Sequence, residues 1–379
     1  MDYLAGLSRL VLANFRNISS ADIALCCSVN LFYGVNGSGK TSVLEAVHML
    51  ATGRSFRSRQ HQPVIQADAE QLAVFGRLKD GLTIGVEKRR SGPGGRIRIN
   101  REAAESSSQL AALLPLQLIN SDSFSALEGG PGVRRRLLDW TVFHVEQSYL
   151  HALKDYQIAL RQRNALLRRG KIGSDQLDIW DGRMVIAAVT LDRLREEVFE
   201  RLGTVTRELL LDLPVSPLQQ VSIRYRRGWK QGVDLGEALQ ASRDADMAVG
   251  HTRVGPHRAD MVFTVDSQPA QSILSRGQQK MLVCALRTAM ARVVSNSRKP
   301  PVFLIDDLPA ELDDAHQVIF ARWVSDCAGQ VLVTGIERES TCRPWLSLAA
   351  PWNKPSVFHV EHGRISAELD PAPNNEWSE

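Results

Sequence analysis

Gly34-Val35-Asn36-Gly37-Ser38-Gly39-Lys40-Thr41 is a full match to the phosphate-binding pattern G-x-x-x-x-G-K-[ST]. Glycines at 34, 37 and 39 let the backbone turn so that successive N–H groups and a helix N-terminus face phosphate oxygens. In that cradle Lys40 reaches the β and γ phosphates, and the Thr41 hydroxyl completes the oxygen shell of an octahedral Mg²⁺. Far along the chain, Val302-Phe303-Leu304-Ile305-Asp306-Asp307 sets two carboxylates after four apolar residues. A buried strand delivering acids at its C-terminal end is where ligands sit in open α/β sheets. Asp306 there holds Mg²⁺ through water and Asp307 polarises the attacking water, or the pair merely caps the next helix. Between these stretches lies Leu274-Ser275-Arg276-Gly277-Gln278-Gln279-Lys280. Ser275 and Gly277 at a helix start either offer a hydroxyl and bare N–H groups to an anion or form an ordinary N-cap.

These residues need elements to hold them. Val29–Tyr33 reads as a buried strand entering the loop, and Thr41 to Ala51 as the helix leaving it, with Val43, Val47, Leu50 and Ala51 at helical spacing. Leu7–Phe15 is an opening strand and Asn14–Asn17 the turn that ends it. The loop Gly53-Arg54-Ser55-Phe56-Arg57-Ser58-Arg59 is either solvated or swings an arginine back to the nucleotide. Strands are expected at Leu72–Leu78, Leu82–Arg90 and Arg96–Asn100, with residues 91–95 as the turn between the last two. Lys88, Arg90, Arg96 and Arg98 then place four cations on one hairpin, as a solvated face or a phosphate-backbone contact. From Leu116 to Val249 the texture is helical. Tyr149, Leu153, Tyr156, Leu160 and Leu167 form one stripe; Ala188, Leu191, Val198, Leu202, Val205 and Leu209 form another. Arg161, Arg163, Arg168, Arg169 and Lys171 cluster where the first helix ends, either as a solvated cap or as a contact for nucleic acid or a partner. His257, in the loop before the strand Met261–Val265, is expected to be structural. Gln330–Thr334 is a further core strand.

At 379 residues the chain has room for two domains, and 44% hydrophobic with 23% charged residues is ordinary globular composition. No run of 18 apolar residues and no leader pattern occurs, so a cytoplasmic protein is expected. The five cysteines lack paired metal spacing. A net charge of +4 permits a nucleic-acid partner without demanding one. The expected layout is an N-terminal part of an ATPase head over 1–115, a helical lid over 116–250, the C-terminal part of the head over 251–365 and a disordered tail over 366–379.

The order of pieces (loop, long insertion, LSRGQ, four apolar residues and two acids, then Ala310-Glu311-Leu312-Asp313) resembles the ATP-binding-cassette head, a P-loop α/β ATPase. Among such heads it is similar to the RecF family of bacterial recombination mediators. The stretches that carry this are Asn14–Asn17, Gly53–Arg57, Gly129-Gly130-Pro131 running into Arg134–Asp139, Gly255–Arg258 and Leu274–Lys280, so the likeness spans Leu7 to about Ile365. It implies a DNA-binding ATPase, related to the Rad50 and chromosome-maintenance heads but with a short lid. Its expected setting is recombinational repair, the SOS response to DNA damage and replication-fork maintenance. An ATP-dependent homodimer is implied, acting on single-stranded and duplex DNA and gap junctions, with RecR and RecO helping RecA to load. ATP and Mg²⁺ are the implied cofactors. Ser42, Arg16, Arg54 and Arg57 join the loop at the nucleotide, while Ser275, Arg276, Gly277 and Gln278 of one chain close the site of another. Two positions depart from the cassette pattern: Asp307 stands where most carry Glu, which implies slow turnover, and Thr334 stands where many carry a His. The glutamine loop falls near Gln117 to Asp122 with no residue singled out. A nucleotide-gated scaffold and a transporter-type subunit are the competing classes; the transporter is disfavoured because its head is shorter and lacks a basic-tipped helical insertion.

Overall fold

The computed structural model describes residues 6–91, 95–169, 174–214 and 216–368. In chain order the described elements begin with β1 (Leu7–Phe15), β2 (Ile18–Ala24), β3 (Val29–Tyr33), α1 (Lys40–Thr52), β4 (Gln71–Leu78), β5 (Thr83–Arg89), β6 (Arg96–Ile99), β7 (Glu102–Ala103), α2 (Ser107–Leu113) and β8 (Leu116–Ile119). Next come α3 (Pro131–Val145), α4 (Tyr149–Leu167), α5 (Ser174–Leu211), β9 (Ser222–Arg226), α6 (Leu235–Ala241), α7 (Arg243–Val249), β10 (Asp260–Val265), β11 (Gln268–Pro269), α8 (Ala270–Ile273) and α9 (Arg276–Ser295). The last group is β12 (Val302–Ile305), α10 (Leu308–Glu311), α11 (Asp314–Ser325), β13 (Gln330–Gly335), α12 (Arg338–Leu346), β14 (Ser356–Glu361) and β15 (Arg364–Glu368).

The chain divides into two compact units, one of Met1–Ser123 with Lys299–Glu379 and one of Phe124–Arg298. In the first unit a six-stranded sheet, β2-β1-β4-β5-β6-β7, is antiparallel throughout. The other sheet of that unit, β15-β14-β3-β13-β12-β8, is parallel except for its edge strand β15. Helix α1 packs on strands of both, and one core runs through it from Leu10 and Val74 to Leu304 and Leu332. Strands β3, β12 and β13 are buried on both faces, which explains why they read as unbroken apolar runs. Gly34 ends β3 at φ 149°, and a Cβ there would fall 2.2 Å from the Val360 carbonyl oxygen, so β14 leaves room only for glycine.

The second unit pairs α4 with α5 and packs α9 and α3 on α5, beside a small sheet β11-β10-β9. The buried stripe of α4 is Tyr149, Ala152, Tyr156, Ala159, Arg163 and Leu167.

The expected layout needs correcting at its seams. Leu116–Ile119, assigned to the lid, is the parallel edge strand β8 of the head, in register with Val302–Ile305. Its apolar run is too short for periodicity to tell strand from helix. At the other seam the second unit continues past residue 250 to Arg298, because α9 packs on α5 and β9 on β10. The expected tail from 366 is still strand as far as Glu368. Residues 92–94 of the hairpin turn, Lys171 and the remainder of that tail lie outside the described residues.

Candidate functional site

Glycines at 34, 37 and 39, all at positive φ, carry the loop from β3 into α1. Lys40 folds back over the loop and donates to the Gly34 and Val35 carbonyl oxygens at 2.7 and 2.9 Å. Asn17, in the turn after β1, braces the same loop by donating to the Gly37 and Ser38 carbonyls at 3.2 and 2.9 Å. Its amide oxygen accepts from the Ser42 hydroxyl at 3.3 Å. Ser38 Oγ is buried in the cradle with no hydrogen-bond partner among the described residues. Val35 is exposed, and Asn36 lines the cavity described below.

The two acids arrive from β12, two strands away from β3 in the sheet. Thr41 donates to Asp306 Oδ1 at 2.9 Å, and Thr334, at the end of the intervening strand β13, donates to the same oxygen at 2.8 Å. The Asp307 N–H in turn donates to Thr334 Oγ1 at 2.9 Å. Asp307 sits in the left-handed region at φ 55°, a strained conformation for a non-glycine residue and one that clusters at functional sites. Desolvation, then the neighbouring Asp306 charge, push the Asp307 carboxyl above the usual carboxylate range, while Lys40 opposes the shift. Burial lowers the Lys40 ammonium against the pull of the two aspartates.

These groups face one cavity of about 770 Å³ whose lining also includes Arg16, Arg57, Arg90 and Ser121. Arg16 is held there by two bonds to the fully buried Glu45, at 2.9 and 2.6 Å, and by the Pro63 carbonyl at 2.7 Å. Arg57 lies 3.8 Å from the same Glu45. Four cations and two carboxylates around a concave loop of N–H donors suit a polyanion carrying a divalent cation. Thr41 and Asp306 could supply oxygen donors to such a metal.

Other expected residues are elsewhere. Arg54 lines a neighbouring cavity with Arg59 and Lys88 and is absent from the wall of the phosphate cavity. The hairpin does not present four cations on one face. Glu87 pairs with Arg96 and Gly85 with Arg98, so both arginines lie on the outer side, while Lys88 falls on the face of Ile84 and Val86. Arg90 has left the strand and donates to the Gln66, Ala67 and Ala69 carbonyls. Arg161, Arg168 and Arg169 are exposed, but Arg163 is not. Fully buried, Arg163 donates to Asp181 at 2.5 Å, to Asp246 at 2.7 Å and to Thr252 at 2.9 Å, which removes it from any DNA surface.

In the second unit Ser275 is the N-cap of α9, completing a capping box in which its Oγ accepts from the Gln278 N–H and Gln278 Oε1 accepts from the Ser275 N–H. Gln278 is thereby turned to its own helix. Ser275, Arg276 and Gly277 are exposed, and the cap uses no hydroxyl hydrogen of Ser275. His257 is structural: its Nε2 faces the Thr252 carbonyl at 3.0 Å and its Nδ1 the Tyr156 hydroxyl at 2.7 Å. A carbonyl only accepts, so Nε2 carries the proton and Tyr156 donates to Nδ1.

Sequence reading missed Asn17 and the positioning role of Thr334. In the glutamine-loop neighbourhood Gln117 is buried within β8, and Ser121 is the residue that reaches the cavity. The Asn14–Asn17 turn and the polar end of β13 were the available signals. Among the described residues no helix is long and apolar enough to cross a membrane.

A family model described as the RecF/RecN/SMC N terminal domain matches residues 6–343. The chain is 42% identical over 365 residues to the DNA replication and repair protein RecF of Cellvibrio japonicus, covering 95% of this chain and 99% of that one. It is equally 42% identical over 369 residues to the RecF of Pseudomonas putida strain W619, covering 96% and 99%. Among solved structures, the recombination mediator protein RecF with ATPrS aligns at a TM-score of 0.82 and 23% identity, covering 97% and 100% of the two chains. The Smc head domain of Pyrococcus furiosus aligns at 0.57 and 15%, covering 96% and 95%. These structural likenesses bear on the fold.

Proposed function

The chain belongs to the RecF/RecN/SMC N-terminal domain family, and from that premise we propose that it is a DNA-binding ATPase of replication and recombinational repair. The observation that supports hydrolysis is the shared oxygen of Asp306, on which Thr41 from the phosphate loop and Thr334 from the next strand converge, setting Asp307 beside the cradle. Lys40 neutralises charge on the β and γ phosphates, and Asp307 takes a proton from the attacking water. Thr41 and Asp306 would hold Mg²⁺, which supplies further neutralisation of phosphate charge. The short Asp307 side chain makes for slow turnover.

The active species in this reading is an ATP-dependent pair of chains. Each chain has one phosphate loop and one exposed Ser275-Arg276-Gly277 helix start, so a symmetric dimer creates two composite sites at once. The free Ser275 hydroxyl hydrogen suits donation to a γ-phosphate. In this reading the chain acts with RecR and RecO, in line with the RecFOR pathway named for the solved relative, and helps RecA load at gapped DNA.

The test is ATPase rate with and without gapped DNA, for the natural chain and Lys40→Ala. Hydrolysis stimulated by DNA in the natural chain and lost in Lys40→Ala, with an unchanged melting temperature, is expected. Equal rates in the two proteins would overturn the assignment. Ser275→Arg is expected to bind ATP as a monomer in sedimentation; a dimer of natural strength would defeat the composite site.

A further inference from the structure

Two sets of cations in the second unit contrast. Those that brace the fold are engaged: Arg134 makes a double contact to Asp260 at 2.8 and 2.9 Å, Arg195 binds Asp139, and Arg227 binds Asp192 at 2.6 Å. Arg226, Lys230, Arg253 and Arg258 are exposed, and among the described residues none has a side-chain hydrogen bond or an acid within ion-pair distance. All four line a single concavity of about 620 Å³. Like charges that converge with too few acids to pair them are destabilising unless an anion answers them. Of the two carboxylates on the wall, Asp260 is already taken by Arg134, which leaves Glu196 as the one unpaired acid.

The concavity is built and held. Its cations come from two segments, 226–230 and 253–258, clasped where the Gly255 N–H donates to the Gly228 carbonyl at 3.2 Å. Gly228 has φ 100°, and a Cβ there would lie 2.3 Å from the Gly255 oxygen, so the approach requires glycine. Trp229 lies between the cations. Its indole N–H donates to the Val233 carbonyl at 3.2 Å, and the Arg227 guanidinium lies over the ring 3.9 Å from its centroid, two contacts that hold this lining side chain in place.

We propose that this concavity binds a single strand of nucleic acid, its phosphodiester oxygens on Arg226, Lys230, Arg253 and Arg258 and one base against Trp229. Cations that track a backbone beside a rigid aromatic are the features that hold unpaired strands. A cavity of this size takes a nucleotide-sized unit, and a base stacked inside a duplex cannot reach the ring. The inference rests on the DNA-binding reading above but uses residues apart from the hairpin and the end of α4.

The experiment is anisotropy of a labelled single-stranded oligonucleotide and of a duplex, titrated with salt, using the full chain. Lys230→Glu/Arg253→Glu, with Lys230→Gln/Arg253→Gln as the milder pair, should weaken single-strand binding roughly tenfold or more. Each should flatten the log affinity against log salt slope by about 1.4, the loss of two contacts at ~0.7 each. Nucleotide affinity should not change. Trp229→Ala should lose roughly tenfold on the single strand and Trp229→Phe should recover most of it. Natural affinity and slope in both double variants, or a loss confined to the duplex, overturns the proposal. Should Arg96→Glu/Arg98→Glu alone abolish binding, the pocket fails while the DNA-binding reading stands; a natural chain that binds neither DNA sinks both.

Discussion

Two of the places where the described residues bury charge treat it in opposite ways. In the second unit Arg163 is wholly enclosed, yet two carboxylates and a hydroxyl take its Nε and Nη1, and Asp181 is shared with Arg243 at 2.8 Å; among the described residues Arg163 Nη2 and Arg243 Nε are the atoms of this network left without a partner. The phosphate cavity instead leaves its charges answered in part. Lys40 rests on carbonyl oxygens, Ser38 Oγ is orphaned, Asp307 is strained and its carboxyl is shifted upward. A charge network closed by its own side chains is a brace. One held open in a concave loop awaits a ligand, and perturbed titration beside strain is its sign.

The contrast can be broken by removing one member from each side. Asp307→Asn should slow hydrolysis by roughly 10²- to 10⁴-fold while ATP affinity persists, measured as single-turnover rate and equilibrium binding. A parallel loss of binding would make Asp307 a metal ligand and exchange its role with Asp306. Arg163→Ala should do the reverse, lowering unfolding free energy by about 3–5 kcal/mol in urea because Asp181 and Asp246 keep buried charge without their partner. Destabilisation below about 1 kcal/mol would return Arg163 to the surface group with Arg161 and Arg168.

A buried histidine sharpens the comparison through pH. Burial lowers His257 to about 4, whereas the unfolded chain protonates it near 6.5. Between those values the unfolded state binds the extra proton, so the His257 contribution is full above about pH 6.5 and is lost as pH falls toward 4. Replacing it by Gln should remove about 2 kcal/mol of the decline in stability between pH 6.5 and 5. A decline identical to that of the natural chain would show that His257 takes up its proton equally in the folded and unfolded states. The smallest effect is expected from Thr334→Val, which leaves the Asp307 N–H without its acceptor and releases Asp306. Turnover should fall about tenfold with little change in stability, since one hydrogen bond of this kind is worth ~1 kcal/mol. A change in ATP affinity larger than the change in rate would argue that Thr334 acts on binding.

How far the site was legible depended on how local its causes are. The phosphate loop, its strand and helix, and the apolar run ending in two acids are contiguous, so glycine spacing and hydrophobic pattern declare them. Arg163 was misread because it was grouped with its charged neighbours. On the buried stripe it falls four residues after Ala159 and seven after Tyr156, a helical spacing visible in the sequence, but only Asp181 and Asp246 make burial of a cation tolerable. The hairpin cations were misplaced because strand parity continues only while the chain is paired, and Arg90 lies one residue beyond β5.

The sequence by itself determined the phosphate-loop motif, the buried strands that flank it and deliver the acids, and the resemblance to a family, because each lies in short-range residue types and spacing. Tertiary structure alone decided that Thr334 and Asn17 hold the site, that the second unit runs on to Arg298, and which arginines are braces and which are free. A hydrogen bond across 265 positions of chain, such as Thr41 to Asp306, leaves no local pattern, since it is set by the register of strands that meet only when the sheet forms.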